Sequence, residues 1–214
     1  HPRAITRAFV EAAAQGQLPV TDYFNGPVQD GAGLYQVTQF HAGPHKGERC
    51  SAAAALLHPA MGRPNLTVLT QTRALRLALE GNRATGLYVR RGGRETLLRA
   101  RREVIVSLGA FGSPQLLLLS GIGPEDELRA HGIAPRHVLP GVGANLQDHL
   151  DYTICHTSPR RDVVGLNPRG LLRLAKAGLR WRKTGEGLFA SPMAEGGAFL
   201  RSSPDQPRPD LQVH

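Results

Sequence analysis

Small residues after an apolar run mark the part of the sequence that is best suited to hold a ligand. The run Glu103–Val106 is typical of a buried strand, and Gly109 and Gly112 follow it closely. Glycines at such a turn let the backbone come close to a flat or anionic group, because no side chain stands in the way. The stretch 107–124 is therefore the first candidate for a cofactor site.

The common fingerprints of nucleotide and hydrolase sites are absent from the sequence. Gly-x-Gly pairs begin at Gly31, Gly121 and Gly141, and each lacks the third glycine of the dinucleotide-binding motif. No P-loop and no Gly-x-Ser-x-Gly elbow occurs. Asp148 beside His149 could be half of a catalytic triad, but no activated serine is indicated. An Asp that caps a turn is an equal alternative.

The histidines and cysteines do not indicate a metal centre. His41 and His45 have no third ligand nearby, so a surface loop is the better interpretation, and we predict no metal site. Cys50 and Cys155 match no metal-ligand spacing. We expect two reduced, mostly buried thiols of an intracellular protein.

A buried helix is predicted to follow the small-residue turn. Ser113 is a typical N-cap, and Pro114 suits the first helical position because its missing N–H costs nothing there. The four leucines 116–119 predict burial nearly all round this helix. The glycine-rich run 120–124 ends it.

Elsewhere the patterns predict helices and short strands, with an antiparallel meander in the middle of the chain. Helices are expected at 4–15, 51–57, 124–131 and 168–183. Strands are expected at 34–40, 66–70, 74–79, 85–90, 95–99, 104–106, 151–157 and 194–200. Residues 158–167 are expected to form a loop, and 211–213 to begin a strand with no partner in sight.

The chain is strongly basic, with a formal net charge of +9 and an isoelectric point near 10.5. Its 26 Lys and Arg are mostly arginines spread along the chain, and six Phe, four Tyr and one Trp offer few stacking platforms for bases. We therefore predict no nucleic-acid partner. The helix at 168–183 has a basic face that could meet anionic lipid, although a solvated face is the preferred interpretation. The expected location is cytoplasmic or peripheral to an inner membrane of bacterial type.

Both ends of the sequence suggest truncation. The chain opens on His1 rather than Met and stops in the apolar run 211–213. No signal peptide is visible, and no apolar run reaches the roughly 18–20 residues of a membrane span. We expect that targeting information could have been lost with the true start.

Several segments resemble, in the right order, motifs of the glucose–methanol–choline (GMC) oxidoreductase family. Gly112–Pro124, Gly-Ser-Pro-Gln-Leu-Leu-Leu-Leu-Ser-Gly-Ile-Gly-Pro, resembles the second signature of the family. Leu139–His149 also matches, and both segments are too long for chance agreement. Shorter matches are Asp22–Gly26, which has one extra residue, Gly47–Ala53 and Arg63–Val68. Glu195–Phe199 is most similar to the choline and aliphatic alcohol dehydrogenase branch.

The resemblance implies a flavoprotein that oxidises the CH–OH group of a primary alcohol, choline-like or aliphatic. In the family, a His base takes the hydroxyl proton while hydride passes to N5 of FAD. The implied partner is a small-molecule alcohol, and the electron acceptor stays open. The implied fold class is α/β with mixed α+β character. By analogy, 1–50 is a connecting, substrate-side segment, 51–150 is part of an FAD-binding domain, and 151–214 begins an antiparallel-sheet substrate domain.

Four cofactor contacts and one substrate-side residue follow from the resemblance. The backbone of Ala74 would meet the adenine of FAD, and the turn formed by Ser107, Gly109 and Ala110 would approach its adenosine half. Ordinary strand packing is the alternative for each. Glu195 stands where the choline-oxidising branch places a carboxylate near the substrate. A salt bridge to one of the arginines is the alternative.

Two departures from the family limit what the chain could do. The N-terminal unit that binds the pyrophosphate and the C-terminal region with the catalytic His are missing. We therefore assign no catalytic residue, and His149 is not given that role. We expect a middle fragment that is inactive alone and needs those segments of the same enzyme as partners. Two alternatives stay open: a non-redox flavin-containing lyase of the same fold, and a basic nucleic-acid-binding module.

Overall fold

Helices and short strands alternate along the computed structural model, which describes residues 2–157, 167–192 and 194–214. The helices are α1 Ala4–Gln15, α2 His58–Ala60 after a π-helical turn at Ala53–Leu57, α3 Gly109–Leu119, α4 Glu125–Ala130 and α5 Pro168–Thr184. The strands are β1 Gly31–Leu34, β2 Thr72–Glu80, β3 Arg83–Arg91, β4 Arg94–Arg99, β5 Ile122–Gly123, β6 His137–Val138, β7 Gly196–Leu200 and β8 Leu211–Val213. They form two compact units, His1–Leu66 with Thr157–His214, and Thr67–His156.

The first unit is built on an antiparallel sheet in the order β1-β7-β8, against which α1 packs. Beneath α1 the core consists mainly of small side chains, because Ala13, Ala32 and Ala198 are all buried there, whereas elsewhere in the unit Phe24 is buried against the ring of Phe199. Gly33 lies opposite Gly197 in the register, and a Cβ on Gly197 would collide with the carbonyl oxygen of Val213. Small residues at these positions therefore let the helix and the strands approach closely.

The C-terminal end of α5 is fastened to the loop around Gly47 in the same unit. Asn167 caps the start of α5 by accepting a 2.8 Å hydrogen bond from the Gly170 N–H, and Gly185 ends it with φ +66°. Trp181 Nε1 donates to the carbonyl oxygen of Gly47 at 3.2 Å. One face of α5 is thus held against this unit.

The second unit joins a three-stranded antiparallel meander, β2-β3-β4, to α3, α4 and the short parallel pair β5-β6. A buried serine connects helix to sheet. Ser120 Oγ accepts a 2.8 Å hydrogen bond from the Leu77 N–H of β2 and donates at 2.6 Å to the Leu116 carbonyl of α3. The packing of α3 on β2 therefore includes a polar tie as well as apolar contact.

The mixed architecture with antiparallel sheets confirms the predicted fold class. The structure also confirms the helices at 4–15, 51–57, 124–131 and 168–183, the meander, and the strand within 194–200. Ser51 caps its helix as expected, because its Oγ accepts from the Ala54 N–H. The expected loop at 158–167 lies, apart from Asn167, outside the described residues.

Several predicted strands are wrong. Residues 104–106 form no strand, and Ile105 is 78% exposed. The segments 66–70 and 151–157 are also irregular. The strand expected at 34–40 is wrong beyond Leu34, because β1 lies earlier in the chain and ends there. Apolar alternation predicts a strand, but a ladder needs a neighbour. Among the described residues none forms a ladder with 66–70, 104–106 or 151–157, and 34–40 pairs at Leu34 with Gly196 and at Gln39 with Arg49. In contrast, 211–213 does have a partner, because β8 pairs with β7.

The helix after the small-residue turn also differs from its prediction. α3 begins at Gly109, so Pro114 lies inside it and Ser113 is not the N-cap. Instead, Ser113 Oγ reaches back and accepts a 2.9 Å hydrogen bond from the Leu108 N–H. Burial all round is wrong as well, since Leu116 is buried but Leu119 is 48% exposed.

Among the described residues, no helix has both the length and the apolar character needed to cross a membrane.

Replacing the buried serine should destabilise the second unit. Ser120→Ala removes the acceptor of the Leu77 N–H and leaves that buried group unsatisfied, so the free energy of unfolding should fall by about 1–3 kcal/mol. Ser113→Ala is the matched control, because water can replace its more exposed bond. Denaturant unfolding measures both variants, and equal losses would contradict the role given to Ser120.

Candidate functional site

The turn that leads into α3 presents open backbone. Ser107, Gly109 and Ala110 are exposed, and Gly109 has φ +81°. A Cβ built on Gly109 would meet no atom of residues 2–157, 167–192 or 194–214 within 4 Å, so these residues leave the space beside this backbone free. A flat group such as the adenosine half of FAD could lie against such a surface. The residues present therefore fit the cofactor that the sequence resemblance implies.

Ala74 lies in β2, at an irregular point of the meander. It pairs with Val89, but the next regular pair is Arg76 with Tyr88, so Leu75 is left outside the ladder. Within the described parts of the chain β2 is also an edge strand of its sheet, and no strand of those parts pairs with its other side. Since α3 packs on β2, the structure puts Ala74 and the small-residue turn on elements that touch. Their roles as cofactor contacts stay predictions.

An apolar groove of about 750 Å³ adjoins the same turn. It runs between α3, α4 and the segment 143–146, and Ala110 forms part of its wall. This groove was not predicted from the sequence. The signal was present, however, because the two longest segments that resemble the family, 112–124 and 139–149, both line it.

Glu195 is a buried carboxylate in the first unit, with 7% of its surface exposed. Its Oε2 accepts hydrogen bonds from the Arg3 N–H at 2.7 Å and from Thr6 Oγ1 at 2.8 Å. Its Oε1 accepts from Ser191 Oγ. The Arg3 guanidinium Nε lies 3.2 Å from Oε2, so an ion pair with an arginine is present. Nothing in the sequence around Arg3, Thr6 or Ser191 pointed to these contacts.

This environment makes Glu195 a fixed negative charge. Burial by itself would raise the pKa of Glu195, but the hydrogen bonds from Ser191, the Arg3 N–H and Thr6 lower it from 4.5 to about 2. A group with so low a pKa stays ionised at neutral pH and is unsuited to proton transfer. Glu195 also lines a small cavity of about 160 Å³ beside Tyr35 and Gln39.

The other residues considered for chemistry do not converge. Asp148 Oδ1 accepts a 2.8 Å hydrogen bond from the N–H of His149, which is a local turn contact. His45 Nδ1 lies 3.1 Å from Glu48 Oε2, and within the described parts of the chain no cluster of His, Cys, Asp or Glu could hold a metal ion. Both cysteines are free thiols. The prediction of mostly buried thiols is wrong for Cys155, which is exposed.

Comparisons with known proteins agree on one family. The family model described as GMC oxidoreductase matches residues 1–151. The chain is 41% identical over 216 residues to an alcohol dehydrogenase [acceptor] of Pseudomonas putida, covering 98% of this chain and 38% of that protein. It is 43% identical over 209 residues to the mitochondrial choline dehydrogenase of Homo sapiens, covering 97% of this chain and 34% of that protein.

A solved structure supports the fold. A formate oxidase superposes with a TM-score of 0.74 at 25% identity, over 92% of this chain and 34% of that one. The chain therefore spans little more than a third of the length of the proteins that it matches.

The ionised Glu195 should make stability depend on pH. Its pKa is about 2 in the fold and near 4.5 when the chain unfolds, so its contribution is present above about pH 4.5 and is lost as the pH falls through this window. The loss should be on the order of 2–3 kcal/mol between about pH 5 and pH 2.

Glu195→Gln should be less stable at neutral pH and should lack this part of the pH dependence. Unfolding followed across the acid range would show it. Glu11→Gln, which removes an exposed carboxylate from α1, controls for the loss of one charge. If the free energy of unfolding changed with pH in the same way for the parent and the Glu195→Gln variant, the role assigned to this carboxylate would be contradicted.

Proposed function

The chain belongs to the GMC oxidoreductase family, and from this we infer that it serves a flavin-dependent enzyme that oxidises the CH–OH group of a primary alcohol. The family match over residues 1–151 carries this proposal. The names of the relatives, alcohol dehydrogenase and choline dehydrogenase, support a choline-like or aliphatic substrate.

FAD is the cofactor that the family implies. When bound, it would take up the two electrons that leave the carbinol carbon as hydride, so that the alcohol becomes an aldehyde. The residues proposed to hold its adenosine half are Ala74, Ser107, Gly109 and Ala110. The open backbone at Gly109 supports this assignment, because a side chain there would occupy the space that the cofactor needs.

No described residue is proposed as the base that takes the hydroxyl proton. Glu195 has too low a pKa, and His149 lies in an exposed segment beside its turn contact with Asp148. The 214-residue chain alone is therefore expected to be inactive.

Glu195 remains the proposed substrate-side residue. Its position on the wall of the cavity beside Tyr35 supports that role.

We propose in the same way that 51–150 contributes to an FAD-binding domain and that 1–50 and 151–214 lie on the substrate side. The location, cytoplasmic or peripheral to an inner membrane, also stays a prediction. Neither alternative function, the lyase or the nucleic-acid-binding module, gains support from the relatives.

Dye reduction tests the reaction class. The full-length product of the gene that encodes these residues, purified with its flavin, should reduce an artificial electron-accepting dye when a primary alcohol is added. Reduction that depends on the alcohol is the expected result. Flavin content without dye reduction, together with cleavage of a cyanohydrin, would identify the lyase instead.

A glycine substitution tests the proposed cofactor surface. Gly109→Ala places a methyl group in the free space beside the backbone and should weaken FAD binding about tenfold, which corresponds to about 1.4 kcal/mol. Retained flavin absorbance and a titration of the apoprotein with FAD measure this effect.

Gly81→Ala is the matched control. Gly81 also has a positive φ, +57° against +81°, and free space around a Cβ, so an alanine strains the backbone at both positions, but Gly81 lies in the β2–β3 turn at the other end of β2 from Ala74. Equal loss of flavin from both variants would show that strain, rather than contact with the cofactor, is responsible.

A further inference from the structure

One face of the meander β2-β3-β4 is rich in arginine. In the register, Arg73 lies opposite Arg90, and Arg76 lies opposite Tyr88. Side chains alternate between the two faces of a strand, so residues three apart normally lie on opposite faces. The register shift just before Arg76 removes one step of this alternation and brings Arg73 and Arg76 to the same face. The cations of this arginine face are Arg73, Arg76, Arg90 and Arg99.

The other face of the meander is apolar. Leu77 lies opposite Leu87, which in turn lies opposite Leu98, and Leu77 and Val89 are buried. An antiparallel sheet of this kind packs its apolar face and leaves its charged face in water. Charged residues are also depleted from the cores of protein interfaces. Further parts of a longer enzyme are therefore expected to pack on the apolar face and to leave the arginine face open.

A cavity of about 480 Å³ lies where the arginine face meets the segment that follows α4. Three arginines from three elements line it, Arg76 of β2, Arg99 at the end of β4 and Arg136 just before β6. Arg76 pairs with Glu95, whereas Arg99 and Arg136 form no ion pair within residues 2–157, 167–192 and 194–214. These two cations exceed the charge of Glu80, a carboxylate that also lines the cavity.

Contacts within the unit position two of the three arginines. The Arg76 guanidinium carbon lies 3.9 Å from the centroid of the Tyr88 ring, and its Nη1 lies 2.7 Å from Glu95 Oε1. The Arg136 N–H donates a 2.8 Å hydrogen bond to the Gly121 carbonyl. A Cβ on Gly121 would lie 2.6 Å from a backbone oxygen of the segment that carries Arg136. The glycine therefore lets this segment come close to the end of α3.

We propose that this cavity binds a small molecule that carries a phosphate or pyrophosphate group. A guanidinium donates two parallel N–H bonds to a phosphate. A phosphate presents its oxygens in several directions, which suits arginines on three separate elements, whereas a planar carboxylate suits one or two. The volume lies in the range of roughly 300–1,000 Å³ that is typical of sites for small molecules.

The site is separate from the proposed flavin surface. Ala74, Ser107, Gly109 and Ala110 do not line the cavity. The proposal therefore does not depend on the flavin proposal, and either can fail without the other.

Calorimetric titration with sodium pyrophosphate tests the proposal. The protein is the full-length product of the gene, saturated with FAD so that pyrophosphate meets an occupied flavin site. We expect one saturable site, whose affinity falls as salt is added because the ligand is held by charge. No binding would overturn the proposal, since another part of the enzyme would then fill the cavity. An affinity that does not change with salt would also overturn it.

Glutamine variants separate the cavity from the general charge of the sheet. Arg99→Gln and Arg136→Gln should each weaken pyrophosphate binding roughly tenfold, because each removes a charged donor. Arg94→Gln is the matched control. It also removes an exposed arginine of β4, but five residues from Arg99 and hence on the other face, so the affinity should change less than about twofold. Equal losses from Arg94→Gln and Arg99→Gln would refute the site.

A variant with the opposite sign completes the test. Glu95→Gln removes the carboxylate that pairs with Arg76, so binding should tighten roughly threefold as that guanidinium becomes available to the ligand. Circular dichroism verifies that every variant is folded. Weaker binding by folded Glu95→Gln would contradict the proposal, because it would show that the pair supports the sheet rather than competes with a ligand.

Discussion

A buried carboxylate joins the two distant stretches of chain that build the first unit. Glu195 lies immediately before the central strand β7, whereas Arg3 and Thr6 lie at the start of α1. A charge taken out of water is costly unless it is paired and fully hydrogen-bonded. Here both oxygens are satisfied, by the Arg3 N–H and Thr6 on one and by Ser191 on the other. The packing of α1 on the small-residue sheet depends on this arrangement, because the core beneath it consists of alanines that bury little area.

The second unit differs from the first, because its candidate site is an open, uncharged surface rather than a buried charge. Its most distinctive surface carries no charge and almost no side chain, since Gly109 leaves the backbone open before α3. The C-terminal end of α3 is fixed to β2 through the hydrogen bonds of Ser120. The open backbone therefore lies on an element that packing and hydrogen bonding have already fixed, which is what a pre-organised binding surface needs.

Features that depend on neighbouring residues in the sequence, such as most of the helices, were predicted correctly. Features that depend on distant residues, such as the pairing of strands far apart in the sequence, were not. Helices α1 and α5 follow from local periodicity, and the residues at their ends in the structure, Gly16, Asn167 and Gly185, lie next to that pattern in the sequence. The segments around 104 and 151 look like strands but form none, because the partner of a strand is not encoded locally. The same reason hid the partner of β8. Motif similarity indicated the turn at 107–110, but only the fold could show that 112–124 and 139–149 share one groove.

The contacts of Glu195 also define what a substrate-side role would require. A carboxylate attracts a cation through its net charge, and the Arg3 guanidinium at 3.2 Å offsets most of that charge at a distance. Attraction across the small cavity would then have to come from Oε1, the oxygen that Ser191 also approaches and the one farther from the arginine. A cationic alcohol would gain from Glu195 only if it displaced or shared the Ser191 hydroxyl. A neutral alcohol could instead donate its own hydroxyl proton to Ser191 Oγ, which would leave the hydrogen bond from Ser191 to Glu195 and the tie between Arg3 and β7 in place.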